Sequence, residues 1–309
     1  MQLGFIGLGK MGGNMVHRIH RDSEHECVVF DFSADAVKEA EGHGAKGAGS
    51  LEELVKGLEA PRTVWIMVPA GDPTEETVQK LAALLDNGDT IVDGGNTKWS
   101  DDCRRAEELK GRGIHYVDVG TSGGVWGLEL GYCMMVGGPQ EAVDHLSPIL
   151  DVLAPPPHEE WGPGWGHMGD SGSGHYVKMV HNGVEYGLMQ AYAEGFELMH
   201  KSKFGLDNAQ IANLWMQGSV VRSWLLELAA SAFEQEGNDL PDLRGWVADS
   251  GEGRWTIEEA IECDVAVPVI TAALFARFTS RGEGDYGARV LAALRQQFGG
   301  HAVQKAADG

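Results

Sequence analysis

Basic residues are scarce in this chain: Lys and Arg total 24 against 46 Asp and Glu, for a formal charge of −22. A polyanion would meet net repulsion, so nucleic acid and anionic membrane are poor partners. An anionic substrate would have to be met by a local gathering of the few cations. The carboxylate excess also suggests adaptation to a salty cytoplasm, in which case activity should fall on dialysis into dilute buffer. Cysteine is equally sparse. Cys27, Cys103, Cys133 and Cys263 are widely scattered, which suits neither a disulfide framework nor a zinc site, so reduced thiols and no metal are expected. Long apolar runs are missing too, so no membrane span is expected. No basic leader precedes the strand-like run Leu3 to Ile6, and the expected location is cytoplasmic. No internal repeat or low-complexity block interrupts the chain.

What is present is enough for two domains: 309 residues, 43% of them hydrophobic. The first half alternates β-like runs (Leu3 to Ile6, Cys27 to Asp31, Thr63 to Val68, Thr90 to Asp93, His115 to Val119) with amphipathic segments. That alternation predicts parallel βαβ units. The run Leu130 to Val136 reads as a further strand continuing the sheet. From Pro155 to Gly174 the chain is crowded with Pro, Gly, Trp and Ser, which marks a boundary. Beyond it, helical spacing persists without proline from Gly174 to Leu240, and another helix is expected from Pro268. The expectation is an α/β Rossmann-type domain with a mostly parallel sheet over residues 1–170, then an all-α domain over 171–309.

Gly7, Gly9 and Gly12 form G-x-G-x-x-G between the first strand and the first helix, within Gly7-Leu8-Gly9-Lys10-Met11-Gly12. The first glycine allows a tight turn, the second a close approach of backbone to pyrophosphate, and the third close helix packing. The helix N-terminus then offers its N–H groups to phosphate. Asp31 closes the second strand, where a carboxylate accepts hydrogen bonds from ribose hydroxyls and repels a 2′-phosphate, and no Lys or Arg follows before Lys38. NAD is therefore expected over NADP. An Asp that merely caps the next helix is the plainer alternative. The loops Val68-Pro69-Ala70-Gly71 and Asp93-Gly94-Gly95-Asn96 fall where strand ends should meet the cofactor.

The densest chemistry lies in Gly174 to Gly187. At helical spacing, Lys178, His181, Asn182, Glu185 and Tyr186 share one face. A solvated face rarely carries Tyr, His and Asn among Met and Val, so the stripe reads as a site. Two members keep a bland alternative of their own: a helix-face ion pair for Glu185, a core histidine for His181.

Six separated motifs now resemble a family, the 6-phosphogluconate dehydrogenases in their short form with one helical domain. They are Gly7 to Gly12, Asp93 to Asn96, Ser122-Gly123-Gly124, Lys178 to Tyr186, Gly253-Arg254-Trp255-Thr256 and Phe298-Gly299-Gly300-His301. The resemblance implies oxidative decarboxylation of 6-phosphogluconate to ribulose 5-phosphate, within the pentose phosphate pathway and gluconate utilisation. It implies Lys178 as general base and Glu185 as general acid. Ser122, Gly123, Gly124, Asn96, His181 and Asn182 would hold the substrate carboxylate and hydroxyls, and Tyr186 and Arg277 its phosphate. Arg295 and His301 would complete the phosphate site of a neighbouring subunit in a homodimer or homotetramer. Met11 and the loop Val68, Pro69, Ala70 would border the nicotinamide. One departure stands out: Ser250 and Glu252 occupy positions where longer members place a lysine and a threonine for the phosphate. Either Arg254 or Ser250 compensates, or that end of the site differs.

The residue types fit the reaction. Hydride removal from carbon 3 needs a base at the hydroxyl, and the resulting β-keto acid loses carbon dioxide without a metal. The enediol that remains needs a proton donor, the role Glu185 would fill. Two other readings compete. A β-hydroxyacid dehydrogenase of the 3-hydroxyisobutyrate type shares the glycine loops and the lysine but follows it with two asparagines, where this chain has His181 and Asn182. A non-catalytic NAD-sensing protein would bind the dinucleotide without turnover.

Overall fold

The structure is a computed structural model that describes residues 1–282. It divides into two compact units, Met1–Asn182 and a second beginning at Gly183. The first holds strands β1 (Gln2–Ile6), β2 (Glu26–Phe30), β3 (Lys46–Gly47), β4 (Thr63–Ile66), β5 (Thr90–Asp93), β6 (His115–Ser122), β7 (Cys133–Gly137) and β8 (Trp165–Gly169). Between them run helices α1 (Lys10–Asp22), α2 (Ala34–Gly42), α3 (Leu51–Lys56), α4 (Asp72–Leu84), α5 (Trp99–Lys110), α6 (Gly127–Leu130) and α7 (Gln140–Leu153). A long helix, α8 (Ser173–His200), begins in the first unit, and α9 (Asn208–Trp215), α10 (Trp224–Glu236), α11 (Glu252–Glu262) and α12 (Pro268–Ser280) belong to the second.

The eight strands form one sheet in the order β3-β2-β1-β4-β5-β6-β7-β8, and its first six strands are parallel. Period-two alternation sends side chains to opposite faces, and both faces are buried. Leu3, Phe5, Trp65, Val92 and Val117 pack with Met15 and Ile19 of α1 and Leu146 and Leu150 of α7. Ile6, Val64, Ile66 and Ile91 pack on the other face with Leu54, Val78, Leu81 and Leu109. A strand buried on both faces carries a near-continuous apolar run, which is why these strands were legible.

Two parts of the sheet depart from the sequence reading. The run Leu130 to Val136 is not all strand: Leu130 ends α6, and β7 covers Cys133–Gly137, antiparallel to β6. The connection Gly123 to Tyr132 is too short for the crossover that parallel pairing requires. After α7 provides such a crossover, β8 returns parallel to β7. Strand β8 lies inside the Pro/Gly/Trp-rich stretch read as a boundary. Its pairing, and the Trp165 indole N–H donated to Asp151 Oδ1 at 2.7 Å, come from tertiary context rather than local pattern.

Helix α4 is tied to α5 through Glu75, whose Oε2 receives Arg104 at 2.6 Å and Arg105 at 3.0 Å. Hydrogen bonds from Arg104, then Arg105, hold this carboxyl down at about 2, below its ordinary 4.5. Its contribution to stability is complete above the unfolded value and is lost as pH falls through the folded one. The expected result is a destabilisation between roughly pH 4.5 and 2 that Glu75→Gln flattens, read by urea unfolding across that range.

Candidate active site

The C-terminal ends of β1, β2, β4 and β5 open on a cleft of about 860 Å³ lined by Gly7, Gly9, Lys10, Met11, Gly12, Asp31, Met67, Val68, Pro69, Gly94, Gly95, Asn96, Thr121 and Lys178. It sits beside β1, where the strand order reverses, the usual crevice of an open α/β sheet. Gly7 has φ +92°, and a Cβ there would overlap the Met67 carbonyl oxygen; a Cβ on Gly12 would overlap that of Gly7. A Cβ on Gly9 would have nothing within 4 Å. The first and third glycines thus permit tight packing, while the second leaves the cleft open. Ser33 and Ser50 cap α2 and α3 with their hydroxyls, whereas α1 begins at Gly9 without a side-chain cap. Its first N–H groups face the glycine turn, and the cradle fits a dinucleotide pyrophosphate.

Asp31 Oδ2 accepts the Leu8 N–H and Oδ1 the Ser33 N–H, each at 2.7 Å. The carboxylate is thereby fixed at the end of β2 while each oxygen keeps lone-pair capacity toward the cleft. The helix cap that follows is Ser33, not Asp31. Leu8 contributes backbone here, because its side chain is buried in the core. Ala70, unlike Val68 and Pro69, does not line the cleft.

Lys178 projects from α8 and is only 9% exposed. Its Nζ donates to Asn96 Oδ1 at 2.8 Å, joining two predicted site residues that lie 82 positions apart in sequence. Ser122 ends β6 immediately after Thr121, and Gly123 and Gly124 follow at φ +133° and +54° in the turn into a short 3-10 helix, Gly124–Trp126. His181 and Asn182 are half-buried, with His181 Nδ1 3.1 Å from Asn182 Oδ1.

Glu185 and Tyr186 lie on the part of α8 that belongs to the second unit, Glu185 half-buried and Tyr186 buried. There the Tyr186 hydroxyl oxygen accepts the Ser250 N–H at 3.1 Å, and the Arg277 guanidinium stacks 3.5 Å above the Tyr186 ring centroid. Arg277 also donates to the Ala248 carbonyl at 2.8 Å. Arg254 and Arg281 both pair with Asp249, at 3.0 and 2.8 Å. Hydrogen bonds from Arg254, and then Arg281, hold the Asp249 carboxyl well below the usual range. Arg254 is therefore already engaged by a carboxylate, and Ser250 by Tyr186. Glu252 is buried at the start of α11. Arg295 and His301 lie outside the described residues.

A buried group stands beneath the cleft, of which the sequence singled out only Asp93, as the start of a loop. Asp93, Asp102, Arg105, Tyr116, Asp118 and His175 are all buried. The Tyr116 hydroxyl lies 3.0 Å from Asp93 Oδ2 and 2.9 Å from Asp102 Oδ1. His175 Nδ1 lies 2.8 Å from Asp102 Oδ2, and the His175 backbone N–H donates to Asp118 Oδ2 at 2.8 Å. One atom each of Asp102, Asp118 and His175 lie within 4.8 Å of one another, but hydrogen bonding accounts for their closeness. A hint was available: Asp93 closes β5 opposite Asp118 within β6 in parallel register, and α8 carries a His in its first turn.

Comparison with known proteins accords with this geometry. Residues 2–161 match the NAD binding domain of 6-phosphogluconate dehydrogenase, and residues 174–308 match the 6-phosphogluconate dehydrogenase C-terminal domain. The chain is 49% identical over 308 residues to the NAD(+)-dependent, decarboxylating 6-phosphogluconate dehydrogenase of Haloferax volcanii, with all of both chains covered. It is 41% identical to the putative 6-phosphogluconate dehydrogenase YqeC of Bacillus subtilis, covering 99% of this chain and 100% of that one. Among solved structures, Plasmodium falciparum 6-phosphogluconate dehydrogenase superposes with TM-score 0.83 at 28% identity, over 100% of this chain and 67% of that one. Mycobacterium tuberculosis 3-hydroxyisobutyrate dehydrogenase shares the fold, with TM-score 0.71 at 22% identity over 95% and 99% of the two chains. With both of its parts matched, and with a relative of nearly half its sequence aligned end to end, the chain belongs to the 6-phosphogluconate dehydrogenase family.

Proposed function

We propose that this chain catalyses the NAD-dependent oxidation and decarboxylation of 6-phosphogluconate to ribulose 5-phosphate and carbon dioxide. The observation that carries the reading is a nearly buried primary amine, Lys178, held by Asn96 at the wall of the glycine-loop cleft. When bound, NAD supplies the hydride acceptor. Lys178 takes the proton of the carbon 3 hydroxyl as the carbon–hydrogen bond breaks, the base that hydride loss requires. Once protonated, it donates a hydrogen bond to the new carbonyl oxygen, which accepts the electron pair released as carbon dioxide leaves. Glu185 then donates a proton to carbon 1 of the enediol.

Asn96, Ser122, Gly123, Gly124, His181 and Asn182 bind the carboxylate and hydroxyls in this reading, and Tyr186 and Arg277 the phosphate. Arg295 and His301 serve a neighbouring subunit in a homodimer or homotetramer. The protein acts in the cytoplasm. No helix among the described residues is long and apolar enough to cross a membrane.

The test is a steady-state assay of 6-phosphogluconate with NAD and with NADP, following both reduced cofactor and carbon dioxide. Equal release of the two products is expected, with NAD preferred. Reduced cofactor from an unphosphorylated 3-hydroxy acid without carbon dioxide would favour the 3-hydroxyisobutyrate reading instead. For Asp31→Ala, loss of hydrogen bonds from ribose to a charged acceptor should raise KM for NAD roughly tenfold or more. The NAD-to-NADP preference should narrow by a similar factor. An unchanged preference would remove Asp31 from cofactor selection.

A further inference from the structure

The loop that carries Asn96 is gripped from below by a residue of the same helix that carries Lys178. His175 Nε2 lies 3.1 Å from the Gly95 carbonyl oxygen, one residue before Asn96, while its Nδ1 faces Asp102 Oδ2 at 2.8 Å. His175 is 2% exposed and Asp102 fully buried. A carbonyl oxygen only accepts, so Nε2 must carry a hydrogen. A bare Nδ1 facing an ionised carboxylate would set two lone pairs against each other in a low-dielectric interior, so a proton lies between His175 and Asp102 as well. The ring thus straps α5 to the β5–α5 loop, with its Nε2–H donating to the Gly95 carbonyl oxygen. One helical turn on, Lys178 donates to the Asn96 side chain. The same loop is held at its root by Asp93, whose Oδ1 receives the Gly95 N–H at 2.9 Å and whose Oδ2 receives the Thr97 hydroxyl at 2.8 Å.

We propose that His175 is a positioning residue for the reaction assigned above, an inference that rests on that assignment: by holding the Gly95 carbonyl it fixes the loop from which Asn96 aligns Lys178. Electrostatics agree with the geometry. Burial alone would lower the imidazole, but the charge and hydrogen bond of Asp102 outweigh it and raise His175, while burial raises Asp102 as well, so the pair holds a proton between them.

Two substitutions separate the two ends of the strap. In His175→Gln the amide nitrogen can occupy the place of Nε2 and reach the Gly95 carbonyl. In His175→Asn it can occupy the place of Nδ1 and reach only Asp102. The expected result for His175→Asn is a fall in kcat of roughly 10- to 100-fold, the scale of a misplacement near 1 Å, with KM for NAD changed less than about threefold. Glutamine should restore kcat to within about fivefold of the native enzyme. Equal kcat for both variants, impaired or not, would overturn the proposal.

A readout free of turnover accompanies this: the rate of reductive methylation of Lys178, mapped by peptide mass spectrometry. It should rise several-fold in the asparagine variant and remain near native in the glutamine variant, and no difference between them would count against the proposal. Should neither variant fold, nitrogen NMR of the native protein labelled at histidine decides the point at pH 7. A protonated Nε2 on His175 is expected, and a bare Nε2 would overturn the strap. Absence of 6-phosphogluconate turnover by the native enzyme would instead refute the assigned function, leaving the methylation and NMR results to judge His175.

Discussion

Lys178→Met is expected to lower kcat on 6-phosphogluconate by about 10³-fold, within the range that loss of a general base produces. Methionine keeps an unbranched side chain of similar reach, so the packing of the stem against Gly120 survives. What disappears is the amine and its hydrogen bond to Asn96 Oδ1. Loss of one such bond costs about 1 kcal/mol, and a thioether in this nearly buried place has little desolvation cost of its own. The protein should therefore fold, and the dinucleotide cradle of Gly7, Gly9 and Gly12 should be unaffected. Steady-state kinetics paired with NADH fluorescence titration makes the comparison. A fall of less than tenfold in kcat would remove Lys178 from proton transfer. An NADH affinity lost along with kcat would mean that the lysine shapes the cleft rather than acts in it.

Gly120→Ala, a single methyl group with no chemistry of its own, should cost roughly 10²-fold in kcat. Gly120 sits on β6 directly beneath the start of α8. A Cβ there would lie 2.5 Å from Lys178 Cβ and 2.8 Å from the Gly174 carbonyl oxygen. One of these neighbours is backbone and the other is the root of the proposed base, so neither contact can be relieved by swinging a flexible side-chain tip. The helix or strand must shift, at about 1–3 kcal/mol for an overpacked site, and the amine moves with it. Thermal unfolding and kcat measured on the same sample test both halves of the claim. A variant with native stability and native kcat would show that α8 has room to spare over β6.

The dinucleotide end of the site was legible because its signals are local. A glycine pattern between strand and helix, and an acid closing the next strand, are fixed by backbone conformation over a few residues. The helix that carries Lys178, His181, Asn182, Glu185 and Tyr186 was legible for the same reason, from its local periodicity. Less legible was β8, because Trp165 to Gly169 has the composition of a loop and becomes a strand only beside β7. The antiparallel turn at β7 depended on a connection length that a hydrophobic run does not reveal.

His175 is the instructive case. It stands within the stretch most dense in chemistry, but on its own it looks like any helical histidine. Only the assembled sheet brings Asp102 of α5 and the Gly95 carbonyl to its two nitrogens, from 73 and 80 residues away. The sequence by itself determined the class of fold, the dinucleotide cradle and the helix that bears the amine, because these follow from hydrophobic period, glycine conformation and helical spacing. Tertiary structure decided which buried carboxylates share protons, how closely β6 admits α8 at Gly120, and which carboxylate claims Arg254. Those depend on distances between groups remote in the chain, and electrostatic and steric energies change steeply over single ångströms.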